Sequence, residues 1–341
     1  MNALKDLDIF CRNHDLDPNT AASRRMWLKG DATPVLTIAE GRDLTWSEIE
    51  LLTGGDIGTF SLPCPYCGPE KLNSERFQLR RPNLHSASWH CFYCGQTGNA
   101  STGEKLDPVK EAEARRRLVE QERDRKTEKT ARALRIWEDA VPIAGTLAID
   151  YLRARAIDGL PPDPDSVLRF HPACPFGTDT RPCMIALFRD AITDEPRAIH
   201  RTWVGTRGKA YGRMALGPIA RAAIKLWPRD GTSLVIGEGI ETVLAAALHL
   251  RRENGDYLRP AWALTVANNI GGLTSRGLRS FPLIRGVRRL IILVDNDESG
   301  VGQKAAEICS QRWCDAGREV LKLIPKGSGR DFNDIVKEKI E

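Results

Sequence analysis

Four apolar runs, "SLVIGE", "AWALTVA", "RRLIILV" and "EVLKLIP", follow one another through the last third of the chain. Between them lie stretches of helical character. "TVLAAALHLRREN" has Gly255 as its stop, and "GQKAAEICSQRWCDAG" repeats Ala305, Ile308, Cys309 and Trp313 at helical spacing. "GLTSRGLRSF" reads as a short helix, and "DFNDIVKEKI" closes the chain as another. Regular alternation of strand and helix leaves little choice of architecture: an α/β fold with an open, mostly parallel sheet. In such sheets function gathers at the carboxyl ends of the strands.

Acids stand at those ends. Glu238 follows "LVIG", Asp295 and Asp297 follow "LIILV", and Asp331 and Asp334 follow the fourth run in "GSGRDFNDIV". Like charges about 4 Å apart repel by roughly 4 kcal/mol per pair at an effective dielectric near 20, so a cluster needs protons or cations. Hard oxygen donors on an open site favour Mg2+ or Mn2+. One acid alone reads as a helix N-cap, as Asp297 does ahead of "ESGVGQKAA". Glu238, Asp295 and Asp297 together, all at strand ends, read as a divalent-cation site.

A second constellation lies near the other end. "CPYCG" supplies Cys64 and Cys67, "CFYCG" supplies Cys91 and Cys94, and 23 residues separate the pairs. Two thiolates per tight turn, from two turns, make the closed tetrahedral arrangement of structural Zn2+. Gly68 and Gly95 suit the turns. Binding energy of roughly 10–16 kcal/mol would then fold a ribbon too small to hold itself. Lys71, Arg76, Phe77, Arg80, Arg81, Trp89, Phe92 and Tyr93 lie among and beside the pairs. Basic side chains follow a phosphate backbone while aromatic faces stack bases. Arg80 and Arg81 are expected to face solvent. For Trp89 and Phe92, base stacking and the ribbon's own core are both open.

The nine cysteines do not point to disulfides, since the count is odd and the start of the chain has no apolar signal-peptide core. Cys11 and His14 have ligand-like spacing but read as surface helix, and Cys174, Cys183, Cys309 and Cys314 read as buried or half-buried thiols. Apolar residues make up 41% and charged residues 28%, and no apolar run approaches a membrane span, which predicts a soluble cytoplasmic protein. A net charge of +5 is too modest to establish a polyanionic partner alone.

Five segments follow. Residues 1–60 are mixed, with "LTWSEIELLTGG" a short helix ending at Gly54 and Gly55. Residues 61–100 form the ribbon, and the almost wholly charged residues 101–137 form a solvated helical linker. Residues 138–230 read as short alternating strands after one helix near Leu147. Residues 231–341 hold the α/β sheet.

"VIGEGIETVLAAA", "LIILVDNDESGVGQKAA" and "GRDFNDI" resemble the Toprim domain shared by DnaG-type primases, topoisomerases and some nucleases. The resemblance covers residues 232–338 and implies metal-binding roles for Glu238, Asp295 and Asp297. "WHCFYCGQTGNA" is similar to half of the ribbon of DnaG-type and phage primases, and "AIDYLRARAI", "RFHP" and "AIHRTWV" to primase-like Toprim proteins of mobile elements and phages. In that family a basic subdomain holds template and nucleotides, which implies His200, Arg201, Lys209, Arg213 and Lys225 here; ordinary surface charge is the rival reading. Two departures stand out. Many primases have an aspartate four residues after the first glutamate, where this chain has Thr242, with Glu241 one place earlier. The last acidic pair, Asp331 and Asp334, is wider than the usual Asp-x-Asp. Glu241, Asp331 and Asp334 are therefore possible additional acids.

The resemblance implies a DNA primase using one structural Zn2+ and one or two catalytic Mg2+ or Mn2+. Its partners would be single-stranded DNA template, nucleoside triphosphates and a separate replicative helicase. The reaction would be attack of a primer 3′-hydroxyl on a nucleotide α-phosphate. Two alternatives use the same residues: a non-catalytic recombination mediator and a Toprim nuclease. The 143 residues between Cys94 and Glu238 favour an interposed polymerase-like subdomain over the mediator. A topoisomerase needs a nucleophilic tyrosine, and Tyr151 and Tyr211 have no such setting.

Overall fold

The computed structural model of the chain describes residues 42–67, 77–103, 107–205, 209–252, 254–272, 281–296, 299–327 and 329–340. It has two compact units, Met1–Asp124 and Arg125–Glu341.

In the first unit, helix α1 (Trp46–Thr53) opens with a capping box. The Glu48 amide donates to Thr45 Oγ1 at 3.4 Å, and the Thr45 amide to the Glu48 carboxylate at 2.8 Å. It ends at Gly54 in the left-handed region, φ 66°, as the glycine pair predicts. Strands β1 (Gly58–Leu62), β2 (Phe77–Asn83), β3 (Ser86–Cys91) and β4 (Thr97–Ser101) then form an antiparallel meander. Alternation along β2 and β3 sends Phe77, Leu79, Ala87, Trp89 and Cys91 into one core with Ile49, Leu51 and Leu52 of α1. Trp89 pairs with Gly98 on β4, where a Cβ would lie 2.3 Å from the indole, so only glycine leaves room for the ring.

Helix α2 (Pro108–Glu138) contains the boundary between the units. It is exposed along most of its length, as its charge predicts, and buries Ala133, Ile136 and Trp137 near its end. After β5 (Val141–Pro142) and helix α3 (Leu147–Arg153) come β6 (Leu168–Phe176), β7 (Asp179–Asp190), β8 (Pro196–Val204), β9 (Ala210–Leu216) and β10 (Ala222–Ala223). These strands form an antiparallel sheet in the order β5-β6-β7-β8-β9, with β10 on β7. The sheet is covered on both faces. Met184, Ala186, Phe188 and Ala198 join a core with α3, while Cys183, Ile185, Leu187 and Ile199 pack with Ala133 and Ile136 of α2.

The C-terminal alternation folds as expected. Strand β11 (Ser233–Gly237), helix α4 (Ile240–His249), β12 (Ala261–Ala263), α5 (Ala267–Gly271), β13 (Arg289–Leu293), α6 (Val301–Asp315), β14 (Glu319–Leu323) and α7 (Phe332–Ile340) follow in turn. All four strands are parallel, in the order β12-β11-β13-β14. Val243, Leu244 and Ala247 of α4 pack on the face shared with the middle sheet. Ile270 of α5 and Ala306, Cys309 and Trp313 of α6 pack on the other. Helix α4 stops at His249 and does not run on to Asn254, because Leu250 is extended and Arg251 bridges back to Tyr257. The helix expected in "GLTSRGLRSF" falls largely outside the described residues.

Candidate functional site

The four ribbon cysteines converge. Cys64 Sγ lies 3.8 Å from Cys94 Sγ, and Cys67 Sγ lies 3.7 Å from Cys91 Sγ. All four sulfurs fall within 4.8 Å of one another, the sole such metal-ligand group of three or more among the described residues. A disulfide brings sulfurs to about 2.05 Å. Tetrahedral Zn2+ with bonds of about 2.3 Å holds them about 3.8 Å apart, and the observed spacing fits that. Each knuckle carries a matching amide: Tyr66 N–H donates to Cys64 Sγ and Tyr93 N–H to Cys91 Sγ, both at 3.4 Å.

Around this centre the basic and aromatic residues separate by strand parity. Arg80 is exposed. Arg81 corrects the expectation of a solvent-facing side chain: it is 1% exposed, donating to Thr53 Oγ1 at 2.9 Å and the Leu84 carbonyl at 3.2 Å. Adjacent residues of a strand face opposite sides, so both arginines cannot point to water when one face is core. Trp89 is likewise core, leaving no face for a base, whereas Phe92 is 63% and Tyr93 52% exposed. Lys71, Arg76 and Gly68 lie outside the described residues, as do Cys11 and His14.

The acids follow from the sheet's topology. From β11 the chain moves outward to β12, then returns to the opposite side of β11 as β13. The order therefore reverses between β11 and β13, the point where α/β sheets open a crevice at their carboxyl edge. Gly237 and Leu293, the last residues of these strands, are register partners. Glu238 follows the first and Asp295 the second after Val294. Both are partly buried. Gly237 is pressed against α4, where a Cβ would lie 2.7 Å from Val243 Cγ2. The Glu238 carbonyl accepts from the Thr265 amide at 2.8 Å, and Thr265, a β-branched residue, sits in the left-handed region at φ 61° to supply it. Asp297 lies outside the described residues. Two carboxylates following adjacent strand ends, with Asp295 Oδ1 buried, are hard oxygen donors of the kind a divalent cation such as Mg2+ takes.

The three additional acids take other positions. Asp334 N–H donates to Asp331 Oδ1 at 2.9 Å and Asp331 N–H to Asp334 Oδ2 at 3.1 Å, closing the first turn of α7 reciprocally. Glu241 is 6% exposed and turns toward the middle sheet. Its Oε1 accepts from the Tyr151 hydroxyl and from Arg213 Nη2, the latter at 3.0 Å. Burial alone would raise this carboxyl, but Arg213 and Tyr151 hold it below the usual range.

Several residues expected at a basic face are interior. His200 is 7% exposed, and burial pushes its imidazole down to about 4. Arg201 is 5% exposed and donates to the Pro175 carbonyl at 2.5 Å. Strand β8 has core on both sides, so the alternation in "AIHRTWV" does not produce a wet face. Lys225 is paired with Asp194 at 2.7 Å and lies over the Trp262 ring. Lys209 stays exposed, and Arg213 is 46% exposed beside Glu241. Among the remaining cysteines, Cys314 is exposed where a buried or half-buried thiol was expected. A groove of about 780 Å³ is lined by Arg189, Lys225, Arg229 and Arg285 among others, and neither Glu238 nor Asp295 is part of its lining.

Sequence reasoning missed Tyr151, Thr265, Asn296 and Asn333 as supports of the acidic edge. Tyr151 lies 90 positions from its partner Glu241, and no local pattern marks such a pair. Asn296 and Asn333 sit inside the acidic motifs themselves, which is the one signal that could have found them.

Residues 233–340 match the family model of the Toprim domain, and residues 127–226 match that of a domain of unknown function (DUF7146). No curated protein matches the chain. Among solved structures it aligns with a DNA primase domain from Pseudomonas aeruginosa at 16% identity, over 57% of this chain and 68% of that one, with a TM-score of 0.37. Its C-terminal sheet is thus similar to Toprim domains, and a four-cysteine cluster in the same chain is able to hold a metal ion. No described helix is long and apolar enough to cross a membrane.

Proposed function

We propose that this protein is a zinc-ribbon Toprim primase that makes short RNA primers on single-stranded DNA. The observation that carries the reading is the pair Glu238 and Asp295, at neighbouring strand ends where the order of a Toprim-matching sheet reverses. A four-thiolate cluster in the same chain supports it.

In this reading residues 61–100 form the ribbon, 138–230 the primase-like subdomain and 231–341 the catalytic sheet. Zn2+ held by Cys64, Cys67, Cys91 and Cys94 fixes the ribbon, whose exposed Arg80, Phe92 and Tyr93 meet the template. Glu238, Asp295 and Asp297 hold Mg2+, which when bound neutralises charge on the reacting phosphates. Arg213, charged and half exposed beside Glu241, and Lys209 face the incoming triphosphate. A separate helicase would open the duplex ahead of the chain.

The test is incubation with single-stranded DNA, Mg2+ and labelled nucleotides, with Asp295→Ala/Asp297→Ala as control. Short template-dependent products that the control lacks support a primase. Cut DNA without incorporation means a nuclease, and binding with neither outcome, even with Mn2+, means a non-catalytic mediator.

A further inference from the structure

Helix α3 and the turn after it touch both acidic segments of the C-terminal sheet. Tyr151 donates its hydroxyl to Glu241, which stands in the first turn of α4 three residues beyond Glu238. A few residues on, the Arg155 carbonyl accepts from Asn333 Nδ2, between Asp331 and Asp334 at the start of α7. The two contact points form one piece. Amides of Arg155 and Ile157 bond to the Leu152 carbonyl at 3.0 Å, and the Arg155 guanidinium lies 5.4 Å from the centre of the Tyr151 ring. Arg213 of β9 adds a second donor to the same Glu241 oxygen and lies 3.3 Å from the Tyr151 hydroxyl.

Burial makes these contacts consequential. Tyr151 is 0%, Asn333 1% and Glu241 6% exposed. A carboxylate out of water costs several kcal/mol unless its donors are in place. Both side-chain donors to Glu241 come from the region matching the domain of unknown function, and the acid comes from the Toprim match. Glu238 accepts from the Thr265 amide through its own carbonyl, and the first turn of α4 begins two residues after it, so the two contacts bracket the same short turn.

We propose that Tyr151, the Arg155 carbonyl and Arg213 form a positioning strut that holds the Glu238 turn and the Asp331 segment in register, and that this is a role of residues 127–226. The claim rests on the reading of Glu238 and Asp295 as cation ligands. Tyr151 and Asn333 act through those acids and are positioning residues, and Arg213 adds this role to its place beside the nucleotide. Direct partners of metal ligands change metal affinity roughly 10–100-fold when removed. Tyr151 and Arg213 act one step further out, through the turn that carries Glu238, so an effect at the low end of that range is expected. A purely structural contact changes stability alone.

The experiment uses the full chain. Mn2+ binding is measured by calorimetry and amide exchange by mass spectrometry for wild type, Tyr151→Phe, Arg213→Ala, Arg213→Lys and Asp295→Ala. Expected for Tyr151→Phe and Arg213→Ala is roughly tenfold weaker Mn2+ binding, with faster exchange in the first turns of α4 and α7 in Tyr151→Phe and of α4 in Arg213→Ala. Arg213→Lys should bind Mn2+ nearly as wild type does. Unchanged affinity and exchange in Tyr151→Phe overturn the strut; if that variant does not fold, Arg213→Ala decides by the same criteria. If wild type binds no Mn2+ that Asp295→Ala loses, the primase reading fails, and the strut is then judged on exchange alone: faster exchange in both turns supports it, and none overturns it.

Discussion

Asn296 and Arg330 form an antiparallel backbone bridge, with the Asn296 amide donating to the Arg330 carbonyl at 3.0 Å and the Gly329 amide returning to the Asn296 carbonyl at 2.6 Å. The Asn296 side chain adds bonds from Nδ2 to the Pro325 carbonyl at 3.1 Å and the Gly327 carbonyl at 2.7 Å. The residue between Asp295 and Asp297 is therefore a clamp on the segment leading to Asp331. Asn296→Ala removes these two bonds and the one that Asn296 Oδ1 accepts from Gln303 Nε2 at 3.4 Å, and leaves two carbonyls to water. The expected cost is about 1–2 kcal/mol, read as a lower urea midpoint with an unchanged slope. No shift would mean that the backbone bridge suffices.

The sheet was legible because its signal is local. Each strand is a continuous apolar run and each helix repeats at its own period, so β11 to β14 emerge within a few residues of their ends. The acids were legible as strand-end residues for the same reason. What escaped is set by partners far away in sequence. Glu241 reads as one more acid of "EGIE" until Tyr151 and Arg213 are seen to claim it. Arg81 and His200 read as basic surface because polar identity says nothing about which faces of β2 and β8 are covered.

Zinc is expected at one equivalent per chain by elemental analysis, and Cys91→Ser should lose it. Cys91 ends β3 inside the first-unit core, beside Phe77 and Trp89, so release of metal removes order well beyond the knuckles. Binding energy of about 10–16 kcal/mol sustains such small sites. Proteolysis after chelation should therefore cut within residues 61–100 first. Full protection of that segment without metal would contradict a structural ion.

Arg80 and Arg81 separate binding from stability. Arg80→Ala, on the exposed face, should change stability by no more than about 0.5 kcal/mol. It should also flatten the salt dependence of single-stranded DNA binding by about 0.7 in the log–log slope. Arg81 instead lies beneath the sheet over the Trp46 ring, 4.9 Å from its centre. Arg81→Ala should cost about 2–3 kcal/mol through lost bonds to Thr53 and Leu84, with the slope unchanged once folded protein is compared. An equal effect of both on the slope would contradict this division.

His200 makes stability depend on pH in a defined direction. Its imidazole is pushed from 6.5 down to about 4, chiefly by burial, with Arg213 and Arg201 adding to that against the pull of Glu241. Between these values the unfolded chain binds a proton that the folded chain refuses, so stability falls as pH drops through 6.5 toward 4 and is intact above 6.5. The loss at pH 5 is about 2 kcal/mol. Urea midpoints at pH 7 and pH 5 measure it, with His200→Asn as the reference that retains every carboxylate. The wild type should lose about 2 kcal/mol more than the variant between the two conditions. Equal losses would mean that His200 accepts its proton while buried, with Glu241 as the counter-ion that permits it.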